Sequence, residues 1–335
     1  MMNEQANQKK IIFSGMQPTG VITIGNYFGA LKNWVKLHNE YNCLFCVVDM
    51  HSITTRQDPV KLRKSARELL ALYIAAGLDP DENLIYYQSH VPQHAELSWI
   101  LSCFTYMGEL NRMTQFKEKS QKSELNLNAG LYTYPILMAA DILLFKTDLV
   151  PVGNDQKQHL ELARDIASRF NGIYGDTFTV PEPYIAKMGA RIASLQEPTK
   201  KMSKSDENPN AYISLLDEPS VIRKKIKRAV TDSEDLIAYT EEKAGIRNLI
   251  DIYCLSKDMT TDAAIAHFQG KGYGELKEEV ADALIAELEP IQKRFKEILS
   301  DKAYLDGIIH KNAESASHLA QRVLRKVKKK VGYPQ

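Results

Sequence analysis

The first two-thirds of the chain alternate between short apolar runs and longer stretches with helical periodicity. The apolar runs predict buried strands over residues 11–14, 44–48, 84–89 and 149–153. Between them, apolar residues recur at helical spacing, which predicts helices over residues 59–76, 92–110, 134–145 and 154–172. Strands that alternate with helices favour an α/β fold: a doubly wound parallel sheet, Rossmann-like, with right-handed crossovers.

The pattern changes after about residue 206, where strand-like runs disappear. Amphipathic periodicity predicts helices over residues 218–230, 245–256, 261–270, 274–299 and 315–331. We therefore expect an α/β domain over residues 1–205 and a C-terminal, mostly helical domain over residues 206–335. The pattern leaves open whether the last helix returns to the first domain.

The segments that follow strands are the first places to look for a site, because ligands bind outside the carboxyl ends of the strands in a doubly wound sheet. The first such segment, "SGMQPTGVITIGN" (residues 14–26), combines glycines with a helix start, as phosphate-binding turns do. Gly15 and Gly20 have the spacing of P-loop glycines, but Val21 and Ile22 replace the expected Lys and Ser/Thr. The turn thus has the shape of a phosphate site without its positive charge.

A second segment, "TKKMSKSDENPN" (residues 199–210), carries lysines that could supply this charge. Lys200, Lys201 and Lys204 alternate with small polar residues, and flexible ammonium groups can follow the charge of a reacting phosphate chain. On composition alone, a solvated linker between the domains is an equally good interpretation.

Composition narrows the class of protein. The 335 residues are 44% hydrophobic and 25% charged, as in ordinary globular proteins, and the net charge is +1. A nucleic-acid surface must therefore be local, and the basic runs at residues 223–228 and 325–330 are candidates. The polar N-terminus and the lack of a long apolar run favour a cytoplasmic location.

The sequence contains little sign of metal or disulfide chemistry. Cys43 and Cys46 form a C-x-x-C pair inside an apolar run, and Cys103 and Cys254 are isolated, so we expect reduced, buried core cysteines. No carboxylate cluster predicts a dedicated metal site.

The glycine turn and the lysine segment together resemble the two signature segments of class I aminoacyl-tRNA synthetases. Thr23–Asn26 (TIGN) stands where that class has its HIGH sequence, and residues 201–205 spell KMSKS. With "GELNRMTQFKEKS", "YPILMAADILL" and "VPVGNDQKQHLELARD", the chain resembles the bacterial tryptophanyl-tRNA synthetases over nearly its whole length. This resemblance implies the class I synthetase fold, with a helical domain that binds the tRNA anticodon.

The resemblance also implies a two-step reaction. L-Tryptophan is activated with ATP and Mg²⁺ to tryptophanyl-adenylate and pyrophosphate, and the tryptophanyl group is then transferred to tRNA(Trp). The family forms homodimers through the nucleotide-binding domain, which makes Trp99 and the helix at residues 93–110 candidates for the interface or for support of the pocket.

Roles follow residue by residue from the resemblance. The implied catalytic residues are Thr23, Asn26, Lys119, Lys201 and Lys204. The resemblance implies that Lys117 and Lys119 approach the phosphates from the side opposite Lys201 and Lys204, and an exposed charged loop is the alternative interpretation of this pair. The implied ATP-binding residues are Gln17, Pro18, Thr19, Gly25, Asn26, Gly153, Asn154, Asp155, Ile192, Lys201, Met202, Ser203, Lys204 and Ser205. Many relatives carry an acidic residue at the position of Asn154, so this chain departs from the family there.

Asp141 is the strongest candidate for amino-acid selection. A carboxylate inside the apolar helix "LMAADILLF" is costly unless it is paired, and from the residues alone a salt-bridged structural Asp is slightly favoured. The resemblance instead implies that Asp141 accepts the indole N–H of tryptophan. The implied tryptophan-binding residues are Phe13, His51, Gln115, Tyr134, Met138, Asp141, Val152 and Gln156.

Other functions remain open on the sequence alone. A tyrosyl-type class I synthetase is the nearest alternative, followed by a non-catalytic RNA-binding paralogue and a small-molecule nucleotidyltransferase. The intact KMSKS and the "MAADIL" segment favour the tryptophanyl type.

Overall fold

Five parallel strands form the centre of the protein. The computed structural model describes residues 9–114, 127–153, 156–184, 192–204 and 206–334. The strands are β1 (Ile11–Met16), β2 (Asn42–Val47), β3 (Leu84–Tyr87), β4 (Leu149–Pro151) and β5 (Glu182–Tyr184). Their order is β3-β2-β1-β4-β5 and all pairs are parallel, so the predicted doubly wound sheet is confirmed. The sequence pattern does not predict β5, because a three-residue edge strand with a central proline lacks an apolar pattern.

The strand order reverses beside β1. The chain moves outward through β2 and β3 on one side, then returns to place β4 and β5 on the other. Outside the carboxyl ends of β1 and β4, the diverging connections leave a crevice, which is the usual ligand site of such sheets.

Helices of the first region connect and cover the strands. They are α1 (Ile24–Asn26), a π-helical turn (Tyr27–Leu31), α2 (Lys32–Leu37), α3 (Asp49–Ser52), α4 (Pro59–Ala75), a 3₁₀ turn (Gln88–His90), α5 (Gln93–Ser102), α6 (Met107–Asn111), α7 (Ala129–Leu143) and α8 (Lys157–Tyr174). α4 begins as predicted, because the Asp58 carboxylate accepts from the Lys61 N–H at 2.8 Å and Pro59 occupies the first helical position.

Two other helix boundaries differ from the predicted ones. The helix predicted over residues 92–110 is two helices, since the chain turns after Ser102 and restarts where Glu109 caps the Tyr106 N–H. α7 begins at Ala129 rather than 134, because Asn128 caps the Leu131 N–H. The cysteine prediction is also partly wrong: all four are free, but Cys103 is exposed.

The region after residue 206 is helical, as predicted. Its helices are α9 (Pro219–Lys227), α10 (Ala244–Lys257), α11 (Thr261–Phe268), α12 (Tyr273–Ser300) and α13 (Lys302–Lys330). α13 starts well before the predicted residue 315. The buried amide of Asn312 interrupts its apolar pattern, since it hydrogen-bonds the Pro80 carbonyl at 3.2 Å and stays inside the fold.

The two faces of the sheet build two separate cores. Alternate strand residues such as Ile12 and Phe45 join one core, and their neighbours Phe13 and Leu44 join the other. The first core continues into α10 and α12, and the C-terminal half of α13 packs into the second. The helical region therefore shares apolar cores with the sheet. No helix in the described ranges is long and apolar enough to cross a membrane.

A buried ionic contact fixes the first helical segment to the helical region. The Lys32 ammonium lies 2.8 Å from the Glu287 carboxylate, and each side chain keeps about a fifth of its surface exposed (19% and 20%). The Tyr27 hydroxyl donates to the same carboxylate at 2.7 Å, and Lys32 also donates to the Leu255 carbonyl at 2.7 Å. This network joins the helix that follows the glycine turn to α10 and α12.

We expect Glu287→Gln to lower the free energy of unfolding by about 1–3 kcal/mol, because Lys32 would remain largely buried without its carboxylate. Denaturant titration measures this change. Glu68→Gln is the matched control, since Glu68 pairs at 3.8 Å with a Lys64 side chain that is 74% exposed, and we expect a loss below about 0.5 kcal/mol. Equal losses in the two variants would contradict a special role for the Lys32–Glu287 contact.

Candidate functional site

A cavity of about 330 Å³ opens at the carboxyl ends of β1 and β4, where the strand order reverses. Its volume lies at the small end of the roughly 300–1,000 Å³ range of ligand pockets. One wall is the end of β1 and the residue after it, Phe13–Gln17; a second is Val150 and Pro151 on β4 with Val152 directly after the strand. His51 on α3 and a face of α7 complete the enclosure.

The structure brings together the residues that the resemblance assigns to the amino-acid pocket. The cavity is lined by Phe13, His51, Tyr134, Met138, Asp141, Val152 and Gln156. The eighth predicted residue, Gln115, lies outside the described ranges. The lining is completed by residues at the strand ends and by Ile142 of α7, none of which the resemblance assigns to the amino-acid pocket: Ser14, Gly15, Met16, Gln17, Val48, Ile142, Val150 and Pro151. Their adjacency to the predicted residues is the signal in the sequence that could have found them.

Gly15 has a steric reason to be glycine. A Cβ at this position would lie 2.8 Å from the Val48 Cγ1 atom, closer than real contacts allow. The absence of a side chain on Gly15 leaves room for the Val48 side chain where β1 and β2 end, beside the cavity.

Asp141 is the charged group of the cavity. It is 1% exposed, and its Oδ2 atom lies 2.8 Å from the His51 Nε2 atom. Burial alone would raise the pKa of Asp141, but the charge interaction with His94 and the hydrogen bond with His51 outweigh it, so the pKa lies below the usual carboxyl value. Asp141 is thus an ionised acceptor at the wall of an otherwise mostly apolar cavity.

Two further partners of Asp141 are visible only in three dimensions. The Gln88 amide donates to the Asp141 Oδ1 atom at 2.7 Å, and the His94 Nδ1 atom lies 2.7 Å from the same oxygen. Both follow β3, on the 3₁₀ turn and on α5, and no sequence motif connects either of them with Asp141. The Asp141 carboxylate therefore has hydrogen-bonding partners inside the fold and also lines the cavity. Its geometry is compatible with a structural role and with a role in binding a ligand.

Tyr134 and His159 form a second polar contact in the cavity wall. The Tyr134 hydroxyl lies 2.9 Å from the His159 Nε2 atom, and both side chains are buried. The Tyr134 ring also meets the His51 ring edge-on, with centroids 6.2 Å apart. Both imidazoles thus fix the position of the tyrosine ring between them.

The glycine turn leads from the cavity to a helix start. The Thr23 hydroxyl accepts from the Asn26 N–H at 3.3 Å, and the Asn26 carboxamide oxygen lies 3.1 Å from both the backbone nitrogen and the hydroxyl of Thr23. Thr23 is 2% exposed and caps the helix, so its hydroxyl is already used. Because the oxygen of the Asn26 carboxamide serves the cap, its amide nitrogen is the part left to donate to a ligand.

The lysine segment folds against this turn. Lys201 forms a β-bridge with Ala193, and the Met202 N–H donates to the Ile192 carbonyl at 3.0 Å. The Met202 and Ile192 side chains are buried, and their Cβ atoms lie 3.7 and 3.8 Å from where a Cβ of Gly25 would be. The two signature segments are therefore adjacent, with the bare backbone of Gly25 between them.

Lys204 reaches the glycine turn itself. Its ammonium donates to the Thr19 hydroxyl at 3.3 Å, and its Cδ atom would lie 3.1 Å from a Cβ at Gly20, which has a φ of +70°. Burial lowers the pKa of Lys204, and no carboxylate of the described residues pairs with it. A half-buried cation that no described carboxylate neutralises is suited to bind an anion beside the turn.

The remaining predicted residues divide into two groups. The first is described by the structure: Gln17 lines the cavity, Pro18 is buried in the turn, and Gly153, Lys201 and Ser203 are exposed near the strand ends and in the lysine segment. The second group, Lys117, Lys119, Asn154, Asp155 and Ser205, lies outside the described ranges, so the roles of these residues stay predictions.

A larger groove of about 780 Å³ lies in the helical region, between the segment Asp235–Tyr239 and α11. The residues that line it include none of those singled out by the motifs. The smaller cavity, with its buried carboxylate and the neighbouring cation of Lys204, is the better candidate for chemistry.

Comparison with known proteins identifies the family of this chain. A family model described as class I tRNA synthetases (W and Y) matches residues 5–289. A tryptophan–tRNA ligase from Clostridium tetani is 57% identical over 327 residues, which cover 98% of this chain and 97% of that protein.

Solved structures agree in fold over the whole length. A tryptophanyl-tRNA synthetase from Mycoplasma pneumoniae has a TM-score of 0.89 at 33% identity and covers 98% of this chain and 99% of its own. One from Campylobacter jejuni, complexed with ADP and tryptophan, has a TM-score of 0.83 at 33% identity, covering 96% and 99%. Similarity of this extent covers both the sheet and the helical region. The chain therefore belongs to the tryptophanyl-tRNA synthetases, within the class I tRNA synthetases.

Proposed function

We propose that this chain is a tryptophan–tRNA ligase. It activates L-tryptophan with ATP to give tryptophanyl-adenylate and pyrophosphate, and then transfers the tryptophanyl group to the 3′-terminal adenosine of tRNA(Trp). The observation that carries the proposal is the ionised, buried Asp141 in a small apolar cavity that continues, through Gln17, into the turn contacted by Lys204. The similarity to a clostridial tryptophan–tRNA ligase and to a synthetase complexed with tryptophan supports the same activity.

The cavity suits the side chain of tryptophan. Phe13, Met138 and Val152 offer apolar walls, and Asp141 offers an acceptor for the indole N–H. A buried acceptor of this kind rejects phenylalanine by roughly 10⁴-fold or more, since the carboxylate would lose its partner, whereas apolar fit alone gives about 10- to 200-fold. Tyr134 and Gln156 face the α-amino and carboxylate groups.

The first step transfers an adenylyl group. A tryptophan carboxylate oxygen attacks the α-phosphorus of ATP, the new P–O bond forms, and the bond from the α-phosphorus to the bridging oxygen of pyrophosphate breaks. Reactions of this type depend on positioning and charge neutralisation. The Asn26 amide donates to the phosphates while Thr23 holds it in place, and Lys204 stabilises the charge that builds on the departing pyrophosphate. The exposed Lys201 side chain contributes a second positive charge to the same phosphates.

Mg²⁺ is expected with ATP. The described residues contain no group of three acidic, histidine or cysteine side chains that could enclose a metal ion. Mg²⁺ is commonly held by substrate phosphates and water with few protein ligands. When bound, it supplies further neutralisation of the phosphate charge.

The second step requires a tRNA surface on the helical region. Much of the basic charge there already serves the fold: Lys225 pairs with Asp217 at 2.7 Å, and Lys328 pairs with Glu96 at 2.6 Å. Exposed lysines such as Lys224 and Lys227 on α9 are better candidates for phosphate contacts. A cytoplasmic location, where tRNA is charged, accompanies this proposal.

The amino-acid dependence of pyrophosphate exchange into ATP tests the function. With each of the twenty amino acids supplied in turn, we expect exchange with tryptophan alone at low concentration, since only an indole satisfies both the apolar walls and Asp141. Exchange driven by tyrosine would favour the tyrosyl type. Its complete absence, with a folded protein, would favour a non-catalytic relative.

Lys204→Ala should reduce the rate of adenylate formation about 10²- to 10³-fold, as the loss of one transition-state donor typically does. Tryptophan affinity should change little, because Lys204 contacts the turn and does not line the cavity. Lys200→Ala is the matched control, since Lys200 is exposed and pairs with Glu197. Single-turnover measurements give both values, and equal rates for the two variants would refute the role of Lys204.

A homodimer is expected through α5 and α6. Trp99, Tyr106 and Met107 are 68%, 62% and 64% exposed there, an unusual concentration of large apolar side chains. Light scattering should give twice the mass of one chain, and Trp99→Glu should shift the population toward the single-chain mass. Ile173→Glu, at another exposed apolar residue, should leave the mass unchanged. A single-chain mass for the unaltered protein would exclude this interface.

A further inference from the structure

Asp141 is held from two opposite sides. Its Oδ2 atom contacts His51, which lines the cavity. Its Oδ1 atom contacts Gln88 and His94, each at 2.7 Å. Gln88 and His94 have no exposed surface and are not among the residues that line the cavity. They therefore contact the carboxylate on the side away from the cavity, where a ligand in the cavity does not touch them.

The His94 ring is itself fixed by its surroundings. Its centroid lies 5.9 Å from that of the Tyr86 ring and 5.6 Å from that of the Phe145 ring. The His94 Nε2 atom lies 3.2 Å from the Tyr86 hydroxyl. The Nδ1 atom lies 2.7 Å from the Asp141 Oδ1 atom. The Gln88 amide donates a hydrogen bond to the same oxygen at 2.7 Å. Two side chains from different elements therefore contact this one oxygen of the carboxylate.

An acceptor for an indole N–H must meet two conditions. It must be ionised to accept strongly at either oxygen, since protonation turns one of the two oxygens into an O–H donor. It must also point a lone pair at the N–H, and rotation of the carboxylate about its Cβ–Cγ bond would remove that alignment. His51 alone contacts one oxygen, so it does not fix the plane of the carboxylate.

We propose that His94 and Gln88 are positioning residues for amino-acid selection: together they fix the Asp141 carboxylate so that it recognises the indole N–H. This inference rests on the proposed function. It assigns the N–H discrimination to groups that never touch the amino acid. The residues that orient a contacting group typically change its performance about 10- to 100-fold when they are lost, as is known for metal ligands.

The test compares tryptophan with β-(benzothiophen-3-yl)alanine, in which sulfur replaces the indole N–H. Amino-acid-dependent pyrophosphate exchange gives kcat/KM for each, and their ratio isolates the N–H recognition from the packing of the ring. We expect His94→Leu and Gln88→Leu to lower the ratio about 10- to 100-fold, through loss of tryptophan activity with little change for the analogue. His94→Asn, which keeps a donor near the position of Nδ1, should restore part of the ratio.

Two reference variants define the scale. Asp141→Ala removes the acceptor and should lower the ratio at least as far as either Leu variant. His90→Leu, an exposed histidine on the neighbouring 3₁₀ turn, should leave it unchanged. KM for ATP, measured in each variant, reports whether the nucleotide side remains intact. Should His94→Leu fail to fold, Gln88→Leu and His94→Asn carry the same comparison.

Each outcome supports or overturns the inference. If the Leu variants lose activity equally for tryptophan and the analogue, His94 and Gln88 merely support the fold and the inference is wrong. If Asp141→Ala lowers the ratio and neither Leu variant does, Asp141 needs no positioning and the inference is again wrong. If the unaltered protein activates neither compound, the proposed function itself fails.

Discussion

The pairing of one buried carboxylate organises the amino-acid side of this protein. An isolated carboxylate at the position of Asp141 would cost several kcal/mol, and it is tolerated because groups from three other elements meet it. Those groups come from α3, the 3₁₀ turn after β3 and helix α5, so the charge can be satisfied only when sheet and helices are assembled. The same assembly encloses the cavity. The contacts of Asp141 therefore stabilise the fold and form the wall of the cavity at the same time.

The nucleotide side follows a different principle, in which charge and shape come from separate segments. The turn after β1 supplies neutral donors and bare backbone, and the lysine segment supplies the cation. Contact between them is maintained by buried apolar side chains: Met202 and Ile192 belong to the core that continues into α10 and α12. The helical region therefore supports the reacting end of the proposed ATP site as well as the proposed tRNA surface.

Sequence pattern predicts what depends on local residues and misses what depends on distant partners. The strands β1 to β4 and helix α4 follow from periodicity and caps, and the cost of burying a carboxylate among apolar neighbours is enough to single out Asp141. The contact between His94 and Asp141 is not predicted, because no residue close to His94 in the sequence indicates that a carboxylate on α7 lies beside it. Thr23 is predicted as a ligand contact, and that role stays a prediction, but the structure adds that its hydroxyl forms a buried cap with Asn26. The cap depends on the three-dimensional arrangement of the turn, and the motif alone does not indicate it.

The tethering of the lysine segment has a mechanical consequence. On one side, Lys201 and Met202 are bridged to Ala193 and Ile192; on the other, the Leu195 N–H donates to the Ala211 carbonyl at 2.9 Å. Residues 203–210 connect these two anchors, and Lys204 is the second residue of this connection. The Lys201 backbone is held by the bridge to Ala193, whereas the Lys204 ammonium is held by the Thr19 hydroxyl of the glycine turn. The two lysines of the signature are therefore fixed by different parts of the fold, and strain on one set of contacts need not reach the other.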